Sequence, residues 1–272
     1  MTKDFDHGLV AHAGGAWHGL TMRNCLEAFE NSCKYFKIIE LDVCLSLDGH
    51  FIVAHSGWSE KLTLEAFLAR TSAVAGTRIT LPQLLQALQA HPDIRLMLDW
   101  QHDYTEPSAD KWFEELLRQL LASQTIEQVL LEVYSRKHVE LCRRFVPNLE
   151  CIYGFQKGKK IGPCSLDFPE GIESFVDYCK LQHIKKVSIA KDDILTHPDW
   201  SNILHSANIS VFSYCWNSYA DFRKARAHGV DWVTTDWLMP DANGEAARWR
   251  TWDRLLRHFG WKIRRHLASF FK

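Results

Sequence analysis

Two histidines and three acids stand where short apolar runs end or turn. His12 closes GLVAH, Glu40 and Asp42 lie inside KIIELDV, His55 follows FIVA, and Asp99 closes IRLMLD. Glu40 and Asp42 are two residues apart, so on a strand both side chains point to one face. Asp48-Gly49, between CLSL and FIVA, is a strong short hairpin signal. A two-residue loop there sets Asp42 directly opposite His55, with Cβ atoms about 4.5–5.5 Å apart. Buried carboxylates are costly unless paired, and three around one point repel one another unless a cation joins them. All-oxygen ligation suits Mg²⁺ or Ca²⁺ better than Zn²⁺, which prefers His and Cys. One divalent cation flanked by two imidazoles is equipment for phosphoester hydrolysis. The cation neutralises phosphate oxygens, one His takes a proton and the other gives one.

Taken singly, each residue has a plainer reading: a strand-end His as a surface or satisfied core group, a strand-end Asp as a loop or helix cap. Their delivery from successive strands is what makes a site. The strands expected are 8–12, 37–43, 94–99, 128–134, 150–154, 185–190, 209–215 and 231–236. Amphipathic helical stretches fall at 24–35, 81–90, 108–122, 136–144, 169–182, 199–207 and 218–228. Start signals agree: Thr80 before Leu81-Pro82, Ser108 before a Trp/Phe/Leu face, and Pro169-Glu170. Eight strand-then-helix units predict a parallel sheet closed as a (β/α)8 TIM barrel, with an open doubly wound sheet as the alternative. The hairpin at 44–54 is a small insertion. His12, Asp42 and Asp99 then reach the C-terminal rim, where such barrels keep their catalytic groups.

The chain has 272 residues and 46% hydrophobic composition, enough for a core without disulfide or metal staples. A net charge of −1 gives no argument for nucleic acid, and none is expected as a partner. Eight cysteines lie at 25, 33, 44, 142, 151, 164, 179 and 215 with no C-x-x-C pair, which reads as small buried hydrophobes in a reducing compartment. With no signal peptide pattern and no apolar run long enough to span a bilayer, a cytoplasmic protein is expected. Residues 248–272 hold eight Lys or Arg against the single acid Asp253. Trp249, Trp252, Leu256, Phe259, Ile263, Leu267 and Phe270 recur there at helical spacing. The expected organisation is a barrel domain over 1–244 and a basic amphipathic helical extension over 245–272. That helix either lies peripherally on the anionic inner face of a membrane or packs on the barrel or a second subunit. The oligomeric state is not legible.

The segments AHAGG, RNCLEAFENS, IIELDVCLSLDGHFIVAHSGW, ITLPQLLQAL and RLMLD, with SVFSYCWN and GVDWVTTDWLMP near the end, resemble the glycerophosphodiester phosphodiesterases. The similarity runs from about residue 8 to 240. It implies a TIM barrel that hydrolyses glycerophosphodiesters to an alcohol and glycerol 3-phosphate with a divalent cation, Mg²⁺ or Ca²⁺, in lipid metabolism. The ligand would be a small phosphodiester or a phospholipid headgroup. By position, His12 and His55 would be the acid/base pair, Glu40, Asp42 and Asp99 the metal ligands, and Trp216 a lining residue of the glycerol or headgroup pocket. The departures concern phosphate recognition. The family's Arg beside the first His is Ala13, a Glu is Asp99, a frequent Lys is Gln101, and an Asp after the second His is Ser56. Lys157 and Lys191 are the candidate replacements for the missing cations, and Gly14 and Gly15 would leave room for substrate. Glu132 points into the barrel without an assigned role. Two other readings stay open: a phospholipase C/D-like enzyme on (lyso)phospholipids at a membrane, and a non-catalytic phosphoester-binding barrel.

Overall fold

A computed structural model describes residues 8–15, 22–57, 59–73, 75–102, 106, 108–155, 171–240 and 246–248. Lys157, Cys164, Pro169-Glu170 and everything beyond residue 248 lie outside the described residues. Eight parallel strands are β1 (Leu9–Ala11), β2 (Ile38–Leu45), β4 (Arg95–Trp100), β5 (Val129–Val133), β6 (Glu150–Phe155), β7 (Lys186–Ala190), β8 (Ser210–Tyr214) and β9 (Trp232–Thr235). Each pairs with the next, and β1 pairs with both β2 and β9, which closes the barrel. The short β3 (Phe51–Val53) runs antiparallel beside the outer end of β2.

The period-two side-chain alternation of these strands sorts the core into two parts. Outward residues such as Leu9, Ile39, Leu41, Leu96, Leu98 and Leu131 join the helices in one large cluster. Inward Val10, Ile38, Met97, Leu130, Ile152 and Phe212, with Trp232 against them, form a separate plug inside the barrel. Strands covered on both faces read as continuous apolar runs, and β2 is buried at every position. Two of those buried positions are nevertheless Glu40 and Asp42, which marks the place where the apolar plug stops.

The helices are α1 (Leu26–Ser32), α2 (Leu64–Leu68), α3 (Leu81–Leu88), α4 (Ala109–Ala122), α5 (Arg136–Phe145), α6 (Ile172–Leu181), α7 (Lys191–Thr196), α8 (Trp200–Ser206) and α9 (Tyr219–Ala227). Thr80 caps α3 as expected, in a reciprocal capping box with Gln83. Ser108 precedes α4 but its side chain caps nothing. Two short helices, α2 and α7, had no sequence signature because five or six residues cannot display a helical period. Of the expected extension over 245–272, only residues 246–248 are described. Ala246–Arg248 is a strand, antiparallel to Leu238–Pro240.

The hairpin register also differs from expectation. Val43, Cys44 and Leu45 pair with Val53, Ile52 and Phe51. Ser46 N donates to His50 O at 2.8 Å, and Gly49 N donates to Ser46 O at 3.0 Å. The loop is therefore the three residues Leu47–Gly49, not two. Gly49, at φ 80°, takes the left-handed position that ends such a loop. Asp48 holds the turn by accepting from Ser46 Oγ at 2.7 Å and Leu64 N at 2.9 Å. One extra loop residue moves every partner by one, so Ala54 rather than His55 continues the ladder level with Asp42.

Candidate active site

The parallel register places Asp42 beside Asp99 and Asp99 beside Glu132, in one row across β2, β4 and β5. Paired residues in a sheet face the same side, so this row and Glu40 all enter the barrel above the apolar plug. Oxygens of Glu40, Asp42 and Asp99 lie within 4.8 Å of one another. Asp42 is fixed by Asn24, whose Nδ2 donates to Oδ2 at 2.6 Å and whose Oδ1 accepts from Asp42 N at 3.1 Å. Gln101 donates to Asp99 Oδ2 at 2.5 Å, so the residue standing for the family's Lys is attached to an acid of the cluster.

β1 ends in a tight turn, His12–Gly14, with Ala13 at φ 50°. That kink aims Ala13 N–H at Glu40 Oε2, 2.6 Å away. Gly14, at φ 77°, has a packing reason rather than a substrate one: a Cβ there would meet Ala28 Cβ at 2.9 Å. His12 projects beside the acids, its Nε2 3.9 Å from Glu40 Oε2. Its Nδ1 is 2.9 Å from Asp236 Oδ1, 3.3 Å from Cys215 Sγ and 2.8 Å from Arg23 Nη2. Asp236, the residue after β9, is oriented by Asn217, which donates to Oδ2 at 2.9 Å and accepts from Asp236 N at 2.8 Å. His12, Asp236 and Asn217 thus form a hydrogen-bonded chain: an imidazole, the acid that holds its Nδ1, and the amide that holds that acid.

Charge is concentrated here. Burial first, then the Asp42 charge, pushes Glu40 up to about 8, against the pull of His12 and the Ala13 N–H. Burial, then the charges of Glu132, Asp42 and Glu40, raises Asp99 well above the usual carboxylate range. Burial also raises Glu132 to about 7, with Asp42 adding to it and Ser188 and Tyr134 opposing. Around His12 the partners win: burial disfavours the imidazolium, but Asp236, Cys215 and Glu40 raise its pKa well above the ordinary value. Asp236 is lowered despite burial, by His12, Arg23 and Asn217.

Of the residues expected at the site, His12, Glu40, Asp42 and Asp99 converge. His55 is exposed on the loop after β3, its Nδ1 3.0 Å from Ser56 O, and is not held over Asp42 as the expected register required. Trp216 has no exposed surface. Its Nε1 donates to Ser213 Oγ at 3.0 Å, and Lys191 Nζ stands 4.8 Å over its ring, so it packs behind the rim instead of lining an open pocket. Lys191 is tied to Asp221 at 3.0 Å. Sequence reading missed Arg23, Asn24, Asp236 and Asn217 as site residues. All four lie in segments already matched as motifs, but where the Arg23 side chain goes depends on how the chain crosses the end of β1.

No family model matches the chain, and no curated protein does. Solved structures do. A glycerophosphodiester phosphodiesterase from Parabacteroides distasonis is 17% identical with a TM-score of 0.68, covering 84% of this chain and 92% of that one. An Oleispira antarctica phosphodiesterase, solved with the product sn-glycerol-3-phosphate, is 16% identical with a TM-score of 0.65, covering 84% and 92%. A glycerophosphodiester phosphodiesterase from Thermotoga maritima is 17% identical with a TM-score of 0.60, covering 84% and 94%. At such identities the likeness establishes the architecture: this chain is a (β/α)8 barrel folded like solved glycerophosphodiester phosphodiesterases.

Proposed function

We propose that the chain is a divalent-cation-dependent phosphoric diester hydrolase that releases an alcohol and glycerol 3-phosphate from glycerophosphodiesters. The observation that carries this reading is the convergence of Glu40, Asp42 and Asp99 beside a His12–Asp236 pair at the C-terminal rim of the barrel. The acids fit a hard cation. They offer oxygen alone, and Asp99 Oδ1 is buried with no hydrogen-bond partner among the described residues, an orphan that a cation would satisfy. Glu40, Asp42 and Asp99 would hold it, whether Mg²⁺ or Ca²⁺, and when bound it supplies charge for phosphate oxygens.

The chain's own groups account for the proton movements. Asp236 holds Nδ1 of His12, which leaves Nε2 as the atom that exchanges a proton at the mouth. His55 is proposed as the second proton-transfer group. One imidazole takes the proton of the attacking water (or of a substrate hydroxyl, giving a cyclic phosphate). The other gives a proton to the departing alkoxide. The mouth's position, above a dry plug of Val10, Met97, Leu130 and Phe212, keeps water to one side of the reacting phosphate.

Glycerol 3-phosphate release from a panel of glycerophosphodiesters, with Mg²⁺, with Ca²⁺ and with chelator, tests the reading. Cation-dependent release that is lost in His12→Ala and Glu40→Gln is expected. Activity that survives both chelation and His12→Ala overturns it. The peripheral membrane contact proposed for 248–272 is tested by flotation of the full chain with anionic vesicles, and absence of salt-sensitive binding ends that idea.

A further inference from the structure

The strongest unexplained charge at the rim is Arg23. Its segment is pinned on both sides of the guanidinium. Asn24 N donates to Ala13 O at 3.0 Å, Asn24 also grips Asp42, and Arg78 Nη1 donates to Arg23 O at 3.1 Å. The head group lies 2.8 Å from His12 Nδ1, 3.5 Å from Nε2 and 3.2 Å from Asp236 Oδ1. Nδ1 can donate to Asp236 or accept from Arg23, but not both. In the state in which Asp236 orients His12, Nδ1 therefore offers Arg23 no acceptor, and the remaining ring nitrogen, Nε2, is 3.5 Å away. Arg23 Nε is likewise buried with no hydrogen-bond partner among the described residues. A guanidinium carries five donors, and the carboxylate that Arg23 meets among the described residues is one oxygen of Asp236 at 3.2 Å.

The acid cluster also borders this ring, with Glu40 Oε2 3.9 Å from Nε2. Arg23 and an acid of the proposed cation site thus both lie within 4 Å of Nε2, close enough to meet a single phosphate-sized anion. No other described cation fills this role: Lys191 is engaged by Asp221 and Trp216, and residue 13 is a fully buried alanine.

We propose that Arg23 is the phosphate-contacting cation of this site, donating to a non-bridging oxygen of the substrate phosphodiester and of the product phosphomonoester. This rests on the phosphodiesterase reading for the reaction, but the phosphate contact is measurable without turnover. Arg23 reaches the phosphate from the segment before α1, across the end of β1, whereas a side chain at position 13 would come from β1 itself. Because the backbone of residues 23 and 24 is fixed before ligand arrives, little ordering is needed on binding.

The test compares wild type, Arg23→Lys and Arg23→Ala by two readouts, the KM for a glycerophosphodiester and the dissociation constant of sn-glycerol 3-phosphate by calorimetry. Loss of a charge-assisted contact predicts a rise of about 10- to 100-fold in both for Arg23→Ala. Arg23→Lys recovers part of it, since an ammonium keeps the charge but not the fork. Millimolar guanidinium recovers part of it in Arg23→Ala. Mg²⁺ or Ca²⁺ binding without substrate is expected to hold or tighten. Unchanged KM and unchanged product binding, with kcat alone reduced, overturns the proposal, because Arg23 would then act only through Asp236 and His12. Glycerol 3-phosphate binding that depends on Arg23, in a protein that releases no product from any glycerophosphodiester, supports the phosphate contact while sinking the reaction reading.

Discussion

Glu132 tests whether the barrel mouth is built for a cation. In the metal-free protein it is a buried carboxyl raised from 4.5 to about 7, by burial first and then by Asp42. Its charge in turn raises Asp99 and Glu40. A folded-state pKa above the unfolded value means that the folded chain keeps a proton which the unfolded chain has released. Stability therefore falls as pH rises from about 4.5, and the loss is complete above about 7. At pH 8 the ionised group costs the fold about 3 kcal/mol, at 1.36 kcal/mol per pH unit. Glu132→Gln keeps the shape and removes the charge. Near pH 8 in chelator it should stabilise the protein by about that amount, a rise of roughly 6 °C in Tm at about 2 °C per kcal/mol for this length. The two proteins should converge as pH falls through 4.5, below which the carboxyl is protonated in both states. Thermal or urea unfolding of both proteins from pH 5 to 8 in chelator is the assay. Saturating Mg²⁺ or Ca²⁺ should shrink the difference, because binding to the folded state offsets the repulsion in wild type. A Glu132→Gln gain that is absent, or that is the same at pH 5 and pH 8, would refute the reasoning, since packing and not charge would then set the effect.

Three more outcomes follow from the structure. Asp236→Asn leaves Asn217 in place but deprives His12 of its orienting acid; kcat/KM should fall by a factor of about 100 or more, with folding intact by circular dichroism. Gly49→Ala forces a side chain into φ 80° and against Trp112 Cη2 at 2.9 Å, and should cost about 1–2 kcal/mol in urea unfolding without changing product affinity. His138, stacked on Phe113 at a ring separation of 4.0 Å, is pushed down to about 4 by burial. The unfolded chain binds its proton first, so stability should drop as pH falls from about 6.5 to 4, and His138→Phe should flatten that limb of the unfolding profile.

Much of the architecture was legible because barrel strands and their helices each carry a local period. All eight strands were expected within one or two residues of where they lie, and the row of Asp42 and Asp99 follows from strand ends that the sequence marks with acids. The short α2 and α7 were not, since one helical turn shows no period. The hairpin was expected but its loop length was not. Asp-Gly fits a two-residue loop and the tail of a three-residue loop equally well, and here Asp48 bonds Ser46 and Leu64 to favour the longer one.

Period-two alternation along β2 alone put Glu40 and Asp42 on one face, and the apolar run around them required a charge partner that the chain does not supply nearby. Sequence therefore determined that there is an acidic site and which strands furnish it. Only the closed barrel decided what completes it. Asp236 reaches His12 across 224 residues because β9 docks on β1, and no local pattern encodes that pairing. Arg23 came to the rim, and His55 to a place one residue past the partner of Asp42, for a related reason. A side chain outside a regular element is placed by the loop that carries it, and one residue more or less in that loop turns it to another face.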